Sequence, residues 1–516
     1  MGAGESCQNF KLKPNQICEI GKCAINIKGL KSNSASATDI WFVTLQPNTK
    51  YDNIVINNKV VLKIYLPSNF KIPNYNNDNE GQLEYESKIY EYIIGPMLEY
   101  QINPHFVRFY GSSSDCSFYN MLNMLINKTY DENNPNQLLT ERELTIGLLR
   151  NTISMLRTYN TESINIASKV FPIIIKSKYS NKSESIISTD ELEFLFDKRK
   201  LLRYNIIATE MSNGISFADW LQLNNSGLNM LKNNNDLQII IIQLLSALTA
   251  LKSFKCSHND LHLKNIFINT QELNEKVYIY NDSIINKDIS YKLKSKLSCA
   301  LYDWDTGYCA ELGDNPKLDL NINCKQIMFC NEYVPSRDFL EVLNILLITL
   351  ISNDKAKNKD IDINLLNMIF NLIFKSPEAV KYYYDNVFTS PYPQILRDIT
   401  TNKTLSKQWI IDNVRPPDRL LTKFLALWKE TNPLISNMVD LSLLPEIEKS
   451  LLYNSNLYNF CNTRIKNILC NYSTGKSCKT HNDCELGTNC VDNKCCYGIT
   501  TISQKEKLSE AKMDIE

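Results

Sequence analysis

Cys256-Ser257-His258-Asn259-Asp260-Leu261-His262-Leu263-Lys264-Asn265-Ile266-Phe267-Ile268 places an acid, a carboxamide and two histidines between two apolar runs. Asp260 and Asn265 can meet at one ligand only if the loop between them doubles back. The apolar run Ile266-Phe267-Ile268 predicts a short strand that anchors its far end. A loop of this make-up reads as catalytic. The acid can position a hydroxyl and take its proton, while the amide oxygen can hold a hard cation.

The spacing His258-x-Asp260-x-x-x-x-Asn265 resembles the catalytic-loop signature of the protein-kinase-like superfamily. Ordinary eukaryotic kinases place a Lys two positions after the Asp. His262 stands there in this chain, so the loop is more similar to the Asp-Leu-His-x-x-Asn loop of haspin-type kinases. Kinases of large DNA viruses, and the aminoglycoside and choline phosphotransferases, carry similar loops. The resemblance implies ATP and Mg²⁺ as cofactors. It implies that Asp260 orients a substrate hydroxyl, that Asn265 holds the metal and that His258 supports the loop.

The 516 residues can bury more than one core, which leads us to expect two lobes with appendages. Lys+Arg and Asp+Glu are equal at 56 each, and no block of like charge stands out. That balance disfavours a nucleic-acid partner held by phosphate neutralisation. The lean towards Asn, Ile, Lys and Tyr fits an AT-rich genome and says nothing of mechanism. No stretch reads as a signal peptide. The two longest apolar stretches, Leu237 to Phe254 and Phe339 to Ile351, carry Gln243 and Glu341 and read as buried core helices of a soluble chain. Met1-Gly2-Ala3-Gly4-Glu5-Ser6 fits the N-myristoylation pattern with Gly2 as acceptor. One such chain anchors only marginally, and Cys7, if palmitoylated, would supply the second signal for membrane association.

Three strands are expected between Ala24 and Leu66: Ile25 to Ile27, Asp39 to Leu45 and Val60 to Leu66. The turn Gly29 to Ala37 sits where kinases have a Gly-rich phosphate cover but lacks that pattern. Without glycine's positive φ its geometry must differ. Lys63, in Val-Val-Leu-Lys-Ile, resembles the ATP-orienting lysine of the family, and Glu86, on a helical pattern from Leu83 to Ile94, its counter-ion. Asn103 to Gly111 reads as the next strand. The stretch from Ser112 to Arg203 is an implied insertion, helical from Thr140 to Tyr159, with an exposed loop around Lys178 to Ser188. Tyr204 to Gly214 resembles a strand entering the hinge, where Glu210, Met211 and Ser212 would meet the adenine edge.

Lys276 to Tyr280 is extended in pattern. Ala300-Leu301-Tyr302-Asp303-Trp304-Asp305 resembles the metal-binding Asp-Phe-Gly position, with Asp303 as ligand, Trp304 for Phe and Asp305 for Gly. A short span then leads to Asp338, which opens a long apolar helix and resembles the buried aspartate that braces the catalytic loop. There is no Ala-Pro-Glu. The rest, to about Asn459, is helical in pattern. Cys461 and Cys470 lead into Cys478-x5-Cys484-x5-Cys490-x4-Cys495-Cys496, which lacks any C-x-x-C pair and reads as a disulfide-stapled module rather than a zinc site. The remaining cysteines are scattered, and the tail implies an oxidising setting such as a virus particle.

The expected fold is therefore α+β, a bilobal protein-kinase-like fold. Its segments are an N-terminal piece (1–20), an N-lobe (21–111), an insertion (112–203), a hinge and helical C-lobe (204–460), the cysteine module (461–500) and a polar tail (501–516). The resemblance implies a viral serine/threonine protein kinase in the virion and host cytoplasm, acting on a protein substrate. Its rivals are a small-molecule phosphotransferase and an inactive pseudokinase scaffold.

Overall fold

Alternating β-branched residues dictate the first sheet. Strands Thr38–Leu45 and Lys59–Tyr65 pair antiparallel, and Lys59–Tyr65 pairs in turn with Arg203–Glu210. This register puts Trp41, Leu62 and Ala208 on one face and Ile40, Lys63 and Ile207 on the other. The computed structural model describes residues 11–12, 14–29, 38–47, 49–51, 54–55, 59–66, 82–131, 134–158, 189–212, 214–224, 226–270, 275–284, 287–315, 318, 331–385, 407–437, 452–454, 473–477, 488–491 and 494–497. Gly2, the greater part of the turn after Gly29, Cys478 and Cys484 lie outside them. By its contacts the chain divides into two compact units, Met1–Glu91 with Val107–Ser212, and Tyr92–Phe106 with Asn213–Glu516.

The first unit holds a five-stranded sheet in the order Ala24–Gly29, Thr38–Leu45, Lys59–Tyr65, Arg203–Glu210, Phe109–Ser117. The Trp41 face shares one core with helices Phe118–Leu125, Glu141–Thr158 and Thr189–Lys198 through Met121, Leu122, Leu148, Leu149 and Leu195. The described helices of the stretch expected as an insertion thus cover one face of this sheet, while its first residues, to Ser117, belong to a strand of the sheet, and the loop expected around Lys178 to Ser188 lies outside the described residues. Along Lys59–Tyr65 the residues on the Trp41 face, Val60, Leu62 and Ile64, are buried, while Val61 and Lys63 between them are only half-buried. The helix carrying Glu86 runs Gln82–Lys88, passes through a π-helical stretch, Ile89–Ile94, and continues to Glu99. The 3₁₀ helix Pro14–Cys23 is tied to the sheet by a Cys18–Cys116 disulfide and by Ile17 N–H donating to Ser113 Oγ at 2.9 Å.

The strand expected over Asn103 to Gly111 begins instead at Phe109 and runs to Ser117. Pro104 has no N–H to give a ladder, and the residues before Phe109 are held by isolated bonds: Asn103 Oδ1 accepts His105 N–H at 3.0 Å, and Leu301 N–H donates to His105 O at 3.0 Å beside a lone bridge from Phe106 to Leu301.

The second unit is built around helix Asn235–Ser253, buried on every side from Leu237 to Leu251. It is long and apolar enough to cross a membrane, but 83% of it is buried inside the protein, as befits a core helix. Helices Arg337–Ala356 and Pro417–Trp428 pack on it. Strand Ile266–Asn269 lies between Ser298–Leu301 and Ile215–Ser216. Gly214 is required here, because a Cβ at that position would collide with Ile268 O. Cys256–Ser257 pairs with Tyr308–Cys309, and a disulfide joins Cys256 to Cys309. The cysteines outside the tail are therefore not merely scattered.

Two further elements were not expected. The extended piece at Lys276 continues to Ile284 and forms a hairpin with Lys287–Ser295, and strands Ile435–Asn437 and Leu452–Asn454 flank it. The region towards Asn459 is thus helical only in part. In the tail, strands Ser473–Ser477, Lys494–Tyr497 and Thr488–Val491 form a small sheet with Cys490 opposite Cys495 in register.

Candidate active site

The loop from His258 to Asn265 begins just after the core helix ends. Lys255 adopts φ 49°, a left-handed turn that closes the helix, and the strand Cys256–Ser257 follows. Asp338, in the first turn of helix Arg337–Ala356 and 5% exposed, accepts His258 N–H at 2.7 Å and Asn259 N–H at 2.9 Å. A carboxylate receiving two backbone donors fixes a loop more firmly than neutral acceptors do, since charge-assisted hydrogen bonds are about twice as strong. Asn259 itself sits at φ 66°.

The doubling-back demanded by the sequence is made by a 3₁₀ turn, Leu263–Asn265. Asn265 N–H donates to His262 O at 2.9 Å, and Asn265 Nδ2 reaches back to Asp260 O at 2.9 Å. The Asn265 amide nitrogen is thereby committed, leaving its oxygen as the end available to a cation. The Asp260 side chain is partly exposed, and His262 Nε2 stands 3.9 Å from its Oδ2. His262 Nδ1 accepts Lys264 N–H at 3.2 Å, so the imidazole proton is on Nε2, towards Asp260.

Asp303 follows a residue pinned at several points. Tyr302 N–H donates to Asn265 O at 3.3 Å, its hydroxyl to Lys264 O at 2.6 Å, and its ring stacks on Phe267 at 4.1 Å. Tyr302 O accepts from His258 Nε2 at 2.8 Å, which assigns the His258 proton to that nitrogen. Asp303 then takes φ 69°, an uncommon conformation for a residue with a Cβ and one that recurs at functional positions. Trp304 is fully buried between His258, ring centroids 4.6 Å apart, and Phe106 at 6.1 Å. Thr306 Oγ1 donates to His258 O at 3.3 Å. Asn315 Nδ2 donates to Asp305 O at 3.2 Å and to Gly307 O at 2.7 Å.

An amide oxygen and a carboxylate on two mutually bonded segments form a hard oxygen donor set, which suits Mg²⁺ better than softer metals. Asn265 and Asp303 fit that ion. No group of three or more His, Cys, Asp or Glu side chains among the described residues is placed to hold a metal ion.

In the first unit, Lys63 Nζ lies 3.2 Å from Glu86 Oε1 and 3.1 Å from Oε2. Glu86 is 1% exposed and Lys63 16%, and Tyr65 OH also donates to Glu86 Oε2. Glu210 N–H donates to Arg108 O at 2.8 Å and Met211 N–H to Lys59 O at 3.3 Å. Those two amides are spent within the sheet, which narrows what the backbone of Glu210 and Met211 can offer a ligand edge.

Sequence reasoning missed Tyr65, Asn259, Tyr302 and Arg337. Arg337 is buried, and its Nη1 donates to Asn259 Oδ1 at 3.3 Å. Burial pulls its pKa down, against the raising influence of Glu341, Asp338 and Asp260. Its place beside Asp338 was the available signal.

Neither a protein-family model nor a curated protein matches the chain. Among solved structures, the kinase domain of PF14_0431 is similar at 11% identity, covering 79% of this chain and 86% of its own, with a TM-score of 0.28. The Rad53 kinase domain with SCD2 is similar at 10% identity, covering 77% and 97%, with a TM-score of 0.25. Likenesses this remote carry no weight beside the site geometry.

Proposed function

We propose that the chain is a protein-kinase-like phosphotransferase that uses ATP and Mg²⁺ and acts on a serine or threonine hydroxyl of a protein. The observation that carries this is the loop that returns on itself, so that the Asp260 carbonyl and the Asn265 amide are bonded while Asn265 is also bonded to the segment delivering Asp303. These bonds support a reading in which the loop carrying the base is tied to the segment carrying the metal ligand. Asp260 orients the acceptor hydroxyl and takes its proton; Asn265 and Asp303 hold Mg²⁺. When bound, that ion neutralises charge on the phosphates. Lys63, held by Glu86, contacts the α- and β-phosphates, and the strand end at Glu210 to Ser212 meets the adenine. His258 and Asp338 support the loop.

The wider setting follows from the same reading. The loop wording supports a kinase of a large DNA virus. The Cys18–Cys116 and Cys256–Cys309 pairs favour an oxidising compartment such as the virion over the reducing host cytoplasm. The Gly2 pattern supports acylation and membrane association, and the balanced charge argues against a nucleic-acid partner.

The test is incubation with Mg²⁺ and labelled ATP, offering casein-like proteins and small alcohols as competing acceptors, with two variants alongside. Asp303→Ala should weaken Mg²⁺-dependent nucleotide binding. Asp260→Ala should bind Mg·ATP nearly as the parent does yet transfer phosphate about 10²–10⁴-fold more slowly. A fully active Asp260→Ala protein would refute the mechanism, and a parent inert with every acceptor would leave the scaffold reading in its place.

A further inference from the structure

Asn259 lies between the loop histidine and the proposed base, and it is completely buried. Its backbone N–H goes to Asp338 Oδ1 at 2.9 Å. Its side chain makes two more bonds: Nδ2 donates to Thr306 O at 2.9 Å, and Oδ1 accepts from Arg337 Nη1 at 3.3 Å. One residue therefore joins three segments, namely the catalytic loop, the turn that follows Asp303, and the first turn of helix Arg337–Ala356. Thr306 returns the contact through Oγ1 to His258 O.

Two physical features single this residue out from an ordinary core amide. The first is backbone: φ 66° is a conformation that few residues other than Gly and Asn adopt readily. The second is placement, because both side-chain partners belong to elements carrying groups assigned to the reaction. Thr306 lies just beyond Asp303, whose own φ is 69°, and Asp260 is the next residue along the loop. A slip in the Asn259 to Thr306 bond would move the turn holding the metal ligand against the loop holding the base.

We propose that Asn259 is a positioning residue, which sets the register between Asp260 and Asp303 through its bonds to Thr306 and Arg337. The inference rests on the phosphotransferase reading for its functional consequence and on the bonding pattern alone for its structural one. Arg337 acts through Asn259: a buried guanidinium donating to the amide oxygen orients the amide so that its nitrogen faces Thr306.

Asn259→Gly keeps the left-handed backbone accessible and removes both side-chain bonds, so it separates the role of the amide from that of the turn. In the full-length chain it should leave KM for ATP close to the parent value and lower kcat on the order of 10²-fold, as misplacement of reacting groups does. Asn259→Asp keeps an oxygen for Arg337 but sets a second acceptor against Thr306 O. It should lose rate in the same way, with the melting temperature lowered by the unsatisfied acceptors left at Thr306. Rates within about twofold of the parent in both variants would overturn the proposal, since errors of that size are well below the effect of misplacement.

Hydrogen exchange supplies the second reading. In Asn259→Gly, the amides of Trp304 to Gly307 should exchange about tenfold faster, the worth of one buried hydrogen bond, while those of helix Arg337–Ala356 keep the parent's rate. Unchanged exchange in that turn would refute the coupling even if the parent transfers no phosphate. A silent parent with the expected exchange would instead count against the phosphotransferase reading alone.

Discussion

Breaking the Cys256–Cys309 crosslink should cost the second unit about 4 kcal/mol. The pair is separated by 53 positions, and the chain-entropy relation for a loop of that length gives about 14 cal/mol/K, or about 4 kcal/mol at 25 °C, through the freedom it denies the unfolded chain. Alanine is the substitution to use, because both sites are buried and a serine hydroxyl there would need a partner. The Cys256→Ala, Cys309→Ala protein is unfolded in urea beside the parent, with and without dithiothreitol, and followed by tryptophan fluorescence. Trp304, fully buried, reports on the segment inside the ring. Reductant should lower the parent's second-unit midpoint by more than it lowers that of the double variant, whose remaining shift belongs to the cysteine-rich tail. Any reductant effect confined to the first unit belongs to its own crosslinks, Cys18–Cys116 and the disulfide of Cys23. Equal midpoints for oxidised parent and double variant would refute the reasoning, as would ready alkylation of both thiols in the folded parent.

Lys63→Met should abolish phosphoryl transfer and lower stability by roughly 3 kcal/mol, because it strips the cation from a buried carboxylate. Adding Glu86→Gln should recover part of the stability and none of the activity, as thermal melts and transfer assays would show. His105 donates from Nδ1 to Cys299 O at 3.0 Å and bonds Tyr280 OH through Nε2 at 2.6 Å, and burial holds its pKa down at about 3, against an ordinary 6.5. The folded imidazole refuses a proton that the unfolded one accepts. Its contribution is therefore complete above about pH 6.5 and is lost as pH falls towards 3, by about 1.4 kcal/mol per pH unit. Parent and His105→Gln midpoints should converge by about 2 kcal/mol between pH 7 and pH 5; a constant difference would refute the assignment. Trp304 Nε1 is buried with no hydrogen-bond partner among the described residues. Trp304→Phe should thus change stability by only about 1 kcal/mol, the cavity being offset by removal of the unsatisfied donor, whereas Trp304→Ala should cost about 3–5 kcal/mol.

The parts of this molecule legible in the sequence are those governed by local pattern. Thr38–Leu45 and Lys59–Tyr65 announce themselves by β-branched residues, and Asn235–Ser253 by apolar residues on every face. The bends around the site are less local. The π-helical stretch Ile89–Ile94 leaves no compositional mark, since it keeps the apolar content of the helix around it. Lys287–Ser295 carries Lys292 and Lys294 on its outer side, opposite the buried Tyr291 and Leu293, and its polar content hides the strand until its partner is known. The cysteine pairs are invisible for a different reason. Separations of 53 and 98 positions are set by tertiary approach, and no spacing rule encodes them. Asp260, Asn265 and Asp303 could be picked out because each sits in a short motif. Asn259 and Arg337 could not, because their meaning lies in a bond between residues 78 positions apart.

The hairpin Lys276–Ser295 has a consequence for the integrity of the chain. Its strands carry Tyr278, Tyr280 and Tyr291, with Tyr280 and Tyr291 stacked at 4.8 Å. Their outer edges are closed by Ile435–Asn437 on one side and Leu452–Asn454 on the other, with Tyr453 stacked against Tyr278 at 6.4 Å. A chain cut before Ile435 would leave both edges open: two long aromatic strands with unpaired ladder groups, which is the template on which separate molecules zip together. Strands Ile435–Asn437 and Leu452–Asn454 should therefore guard against self-association, and shortening the chain past them from its C-terminal side should cost solubility before chemistry.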